Sequence, residues 1–109
     1  MRDQVAEVVM QNGATAVGDG TPFDSGVAGF NNLVLQVGIS GAATVTFEGS
    51  NDGSTWYTVQ GTKLDDGSAV TTATASGLYR IDVSGLHQVR ARISAYTSGT
   101  VDVLGRAQA

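Results

Sequence analysis

The segment from Ala43 to Val59, ATVTFEGSNDGSTWYTV, constrains this chain more than any other, because it spells out a β-hairpin. Val45 and Phe47 alternate with Thr44, Thr46 and Glu48; Ser50-Asn51-Asp52-Gly53-Ser54 then supplies turn chemistry, and Thr55-Trp56-Tyr57-Thr58-Val59 resumes a β-rich run. A period of two cannot sit on a helix, so an apolar face and a polar face on opposite sides of a strand follow directly.

The same period recurs along the chain. Leu33, Leu35, Val37 and Ile39 share one phase; Tyr79, Ile81 and Val83 alternate with Arg80 and Asp82; Val89, Ala91 and Ile93 alternate with Arg90 and Arg92; Val101 and Val103 flank Asp102. Ser68 to Ala75 is rich in Thr and has no strong apolar face, which suits an edge strand. Turn signals at Asn12-Gly13, Asp66-Gly67, Ser84-Gly85 and Ser98-Gly99 separate these runs. The pattern predicts an all-β chain: one antiparallel β-sandwich or jelly roll of about eight strands.

Only 109 residues are present, so a single domain is expected. Within it, residues 1–32 are expected to form a strand (Gln4 to Met10) followed by a Gly-rich arm, and 33–109 the sandwich body. The arm has little apolar area to offset an ordering cost of roughly 1–2 kcal/mol per residue, so contacts outside the monomer are expected to hold it. Val5 and Val8 would then add a strand to the sheet edge of a neighbouring subunit.

Charge and cysteine content limit the chemistry. Charged residues make up 15% of the chain, against roughly 25% in ordinary soluble domains, which suggests a surface partly covered by other chains. The formal net charge of -4 argues against nucleic acid as a partner, because phosphate binding needs clustered Lys and Arg. No apolar run approaches the ~18 residues of a membrane span, no leader is expected ahead of the first strand, and without cysteine there is no thiolate metal site. No cofactor, metal, membrane or small-molecule substrate is expected.

His87 is the single histidine, and no Gly-x-Ser-x-Gly elbow accompanies it; Asp65-Asp66 reads as turn chemistry before Gly67. Asn51-Asp52-Gly53-Ser54 and Asp19-Gly20-Thr21 resemble calcium loops only in part, lacking the full spacing and the distal Glu. Arg80, Asp82, Arg90 and Arg92 are expected on one face of adjacent strands, either as solvated ion pairs or as a docking patch for a neighbour's carboxylates. Trp56 reads as core filler or, with Tyr57, Asn51, Asp52 and Thr58, as a sugar-stacking platform. An enzyme is not expected.

A resemblance enters with Phe47-Glu48-Gly49-Ser50-Asn51-Asp52-Gly53-Ser54-Thr55-Trp56-Tyr57, followed by Leu78-Tyr79-Arg80-Ile81-Asp82-Val83-Ser84-Gly85-Leu86 and the run from Gln88 to Val101. Over about Asn32 to Ala107 the chain is similar to small structural proteins of tailed bacteriophages, of the capsid decoration or cement type. That resemblance implies a homo-oligomer, expected as a trimer, bound to the phage major capsid protein on the outer surface of the head after synthesis in the host cytoplasm. The alternative it leaves is a carbohydrate-binding adhesion module of a tail or head fibre.

Overall fold

A computed structural model describes residues 5–24 and 30–108. The strands are β1 (Val5–Ala14), β2 (Asn32–Ile39), β3 (Ala42–Ser50), β4 (Tyr57–Thr58), β5 (Gly61–Lys63), β6 (Ala69–Val70), β7 (Thr72–Ala73), β8 (Gly77–Asp82), β9 (Gln88–Ser98) and β10 (Val101–Gln108). They form two sheets. The larger runs β1-β10-β2-β8-β5-β6; in the smaller, β3 is central, with β9 along one edge and the short β4 and β7 on the other. Every pairing is antiparallel.

The alternation read from the sequence decides which side chains meet. Leu33, Leu35 and Val37 of β2, Tyr79 and Ile81 of β8, and Val101 and Val103 of β10 point inward from the large sheet. Ala43, Val45 and Phe47 of β3 and Val89, Ala91 and Ile93 of β9 meet them from the small one. Each large side chain taken fully out of water there contributes roughly 1.5–3 kcal/mol. Phe47 and Tyr79 touch across the sandwich, ring centroids 5.6 Å apart, and the Tyr79 hydroxyl donates to Ala75 O at 3.0 Å. Gly105 leaves room for Leu33, Leu35 and Val8, each of which a Cβ would meet at 3.2 Å.

Two expectations about order along the chain change. The Thr-rich segment does lie at an edge, but it serves both sheets: β6 ends the large one and β7 flanks β3, so the chain crosses between layers at Thr71. The hairpin of Ala43 to Val59 exists with the pairs Glu48 to Thr58 and Gly49 to Tyr57, yet its second arm is two residues long. The main partner of β3 is β9, paired from Ala42 to Ser50.

The N-terminal region is a larger correction. β1 pairs with β10 of its own chain, from Val5 opposite Gln108 to Ala14 opposite Val101, rather than waiting for a neighbour. Residues 15–24 then run back along β9, with bridges at Gly18 to Ile93 and Phe23 to Val89. Thr21 N donates to Met10 O at 3.0 Å, and the buried Gln11 side chain donates to Ala91 O at 2.9 Å. Thus the segment closes the gap between β1 of one sheet and β9 of the other. Averaged composition hid this, because three large side chains, Met10, Phe23 and Phe30, bury almost completely and hold the segment to the body. Val8 packs against the core; Met1 to Gln4, Gly26 and the side chain of Val5 lie outside the described residues.

Candidate interaction surfaces

The four charged residues expected on one face are divided between the two outer faces of the sandwich. Arg80 and Asp82 belong to β8 in the large sheet, whereas Arg90 and Arg92 belong to β9 in the small one. Alternation says whether a side chain points into the core or away from it; it does not say which layer the strand joins. The connection from Val83 to His87 crosses between layers, so consecutive strands carry their charges in opposite directions.

On the small sheet the arginines already have partners. Glu48 stands opposite Arg90 in register and is itself buried, 7% exposed. Arg90 Nε donates to Glu48 Oε1 at 2.8 Å, and Arg92 Nη1 lies 3.5 Å from Oε2. Asp19, delivered by the returning N-terminal segment, approaches both arginines at 3.5 Å. These two cations and two anions neutralise one another within the chain, leaving little for a neighbour's carboxylates. Trp56 is half-buried beneath this network: the Arg90 guanidinium carbon lies 4.1 Å from its ring centroid, a cation–π contact worth ~0.5–2 kcal/mol. It is therefore neither core filler nor an open platform.

The outer face of the large sheet is different. Strand register aligns Val9, Leu104, Gln36 and Leu78 in one cross-strand row, and Glu7, Arg106, Val34 and Arg80 in the next. Strands about 4.8 Å apart make each row span roughly 14 Å from β1 to β8. Val9, Leu78 and Leu104 are 53%, 47% and 37% exposed. Leu78 and Leu104, together with Glu7, Arg80 and Arg106, line a shallow concavity of about 640 Å³, and Val9 is not part of that lining. Neither arginine has an ion-pair partner among the described residues. Asp82 is held by its own turn: Ser84 N donates to Oδ1 at 3.0 Å, and that bond, with help from the Ser84 side chain, lowers the pKa of the carboxyl.

A third surface lies at the end of the sandwich, where the chain leaves β3. Asp52 Oδ1 accepts from Ser54 N at 2.9 Å, Thr55 N at 2.7 Å and Ser50 Oγ at 3.0 Å. Those bonds favour the charged form and hold the carboxyl well below the usual carboxylate range, the Thr55 amide contributing most. Asn51 Oδ1 accepts from His87 N at 2.8 Å, tying the turn to the loop before β9. Tyr57 stands beside this turn with 69% of its surface exposed. A groove of about 490 Å³ runs between them, walled by Val59 and Leu86. Thr58 is exposed but does not line it.

Other candidates are dispersed. His87 Nδ1 lies 3.7 Å from Asp24, both partly exposed, while Asp66 caps its own turn by accepting from the Ser68 hydroxyl and amide, which lowers its pKa. Sequence reasoning named Asp19 only as part of a partial calcium loop and Glu48 only as a polar-phase residue, and missed their ion pairs because the partner arginines lie on a strand distant in sequence. Leu78 and Leu104 had left a legible trace: each is apolar in the polar phase of its strand, next to Tyr79 and Val103.

Comparison with known proteins places this architecture. Residues 4–107 match the XepA family. The chain is 26% identical over 108 residues to the uncharacterized protein YqxG of Bacillus subtilis (strain 168), a match covering 97% of this chain and 36% of YqxG. The SPBc2 prophage-derived protein YomS has the same fold, with a TM-score of 0.87 at 20% identity over 100% of this chain and 96% of YomS. The PBSX exported protein XepA gives a TM-score of 0.91 at 21% identity, over 100% of this chain but 39% of XepA. The chain therefore spans little more than a third of YqxG and XepA, and with nearly its whole length matched it belongs to the XepA family.

Proposed function

We propose that this chain is a non-enzymatic, phage-encoded structural protein that works by docking, with the outer face of its large sheet as the docking surface. The observation that carries this reading is the cross-strand row of Val9, Leu104 and, on the far side of Gln36, Leu78, all exposed on the face that also carries Arg80 and Arg106. Apolar side chains beside arginines that have no ion-pair partner among the described residues are the composition of an interface rather than of a solvated sheet. The names of YomS and XepA, prophage-derived and PBSX, support a phage origin. The resemblance to decoration proteins supports the finer placement: a homo-oligomer, a trimer in that family's usual form, seated on the major capsid protein at the outside of the head. Binding only the assembled shell would stabilise it by mass action.

Purified phage particles should contain the protein on the head, visible as surface density by electron microscopy. Leu104→Lys should leave the fold intact, since the side chain is already exposed, and reduce particle association at least tenfold. Particles without the protein, or with it only on the tail, would remove the capsid reading.

The word "exported" in the name of XepA favours a second reading, in which the domain acts free of the particle after leaving the cell. Fractionation separates the two. Protein in the medium, absent from sedimented particles, supports the second and excludes the first.

A further inference from the structure

We propose that the groove beside Tyr57 is a binding site of its own and takes a single sugar ring of a glycan. Its position, at the end of the sandwich where β3 and β4 meet the Ser50 to Thr55 turn, separates it from the outer face of the large sheet. A sugar presents a C–H face that stacks on an aromatic ring and hydroxyls at its rim that both donate and accept. The site offers each complement.

Tyr57 provides the ring. It is 69% exposed, far more than an aromatic side chain needs merely to fill a gap, and it overhangs a groove whose wall is Val59 and Leu86. The apolar wall and the ring together exclude water from one side of a ligand.

Asn51 and Asp52 provide the polar rim. Asn51 spends its oxygen on His87 N, which leaves the amide nitrogen as a donor without a partner among the described residues. Asp52 Oδ1 accepts from Ser50, Ser54 and Thr55, the Thr55 hydroxyl also bears on the carboxyl, and together these bonds keep the group ionised as a fixed acceptor at the rim. Both groups are held by backbone hydrogen bonds rather than by long mobile stems, so little ordering accompanies binding. The volume, about 490 Å³, falls within the roughly 300–1,000 Å³ of small-molecule clefts. Trp56 takes no part, because Arg90 covers its ring.

This proposal is independent of the docking surface and is tested separately from it. The assay is saturation-transfer NMR of the wild-type chain with methyl glycosides of glucose, galactose, mannose, rhamnose, N-acetylglucosamine and N-acetylgalactosamine, followed by an array of larger glycans. At least one sugar should receive saturation, with a dissociation constant on the order of millimolar for one ring. Tyr57→Ala should weaken binding at least tenfold while Tyr57→Trp retains it. Asn51→Asp keeps the acceptor for His87 N and removes the donor, and should weaken binding several-fold. Leu104→Lys should change nothing here. No saturation transfer together with an unreactive array, or binding that survives Tyr57→Ala, would overturn the proposal.

Discussion

Replacing Glu48 by alanine should be the most damaging single change to the polar face of the small sheet. The carboxylate is buried and its short contact, 2.8 Å to Arg90 Nε, is charge-assisted; such a bond contributes ~1.5–3 kcal/mol. The second contact, 3.5 Å to an Arg92 whose side chain is 42% exposed, lies in the range where solvent leaves about 0–0.5 kcal/mol. Asp19 stays within 3.5 Å of Arg90 in the variant and offsets part of the loss. The net expectation is a destabilisation of about 2 kcal/mol, or a fall in Tm of ~8–10 °C for a domain of this size. Urea denaturation followed by the emission of Trp56 measures it, because the chain's one tryptophan lies directly under Arg90. Glu48→Gln should lose about half as much, and a double-mutant cycle with Arg90→Ala should return a coupling of ~1–2 kcal/mol. A change below ~0.5 kcal/mol in Glu48→Ala, with the urea slope unaltered, would refute the claim that this network stabilises the fold.

Gly20 has φ +75, and a Cβ there would lie 2.6 Å from Met10 O, the acceptor that holds Thr21; Gly20→Ala should therefore lower stability by ~2 kcal/mol or more, read by thermal unfolding. Tyr79→Phe removes the 3.0 Å bond to Ala75 O while keeping the ring against Phe47, and should lower stability by ~1 kcal/mol in the same experiment. Asp52, Asp66 and Asp82 all titrate below their usual 3.8 through bonds from neighbouring amides and hydroxyls. Their folded pKa is depressed, so their contribution is complete above that value and is lost as pH falls below it toward the folded pKa values. An acid titration of Tm should show this loss reduced in Asp52→Asn, and an unchanged profile would count against the turn as its source. Deleting residues 1–20 removes β1 and Met10 and should unfold the monomer, as seen by circular dichroism; a folded truncation would restore the view of this segment as a dispensable arm.

Much of the architecture was legible in residue order. Strict alternation at Leu33 to Val37, Val45 to Phe47, Tyr79 to Val83 and Val89 to Ile93 named the core, and every one of those inward positions is buried. Turn chemistry was equally direct at Asp52 and Asp66, which each accept from the backbone two residues on; Asp82, expected in the charged face, does the same instead. The interaction surfaces were legible only in part. Tyr57, Asn51 and Asp52 lie together because they are near in sequence, whereas Trp56, one residue away, does not line their groove and is covered by Arg90.

Residue order was enough for the fold class, for the inward faces of the central strands and for the turns at Asp52, Asp66 and Gly99, because these follow from steric and hydrogen-bonding rules that act within a few residues; Asn12-Gly13, read as a turn, instead lies within β1 at a break in its register with β10. Tertiary structure alone decided which layer each strand joins. That choice put Arg80 on the same face as Arg106 and Leu104, with β2 between them, placed Arg90 against Glu48 and Asp19, and returned residues 15–24 to β9. The physical reason is that a strand's period distinguishes core from solvent but is the same in both sheets. Its neighbours are selected by packing and pairing across the whole molecule, where a strand distant in sequence competes on equal terms with the next one along the chain.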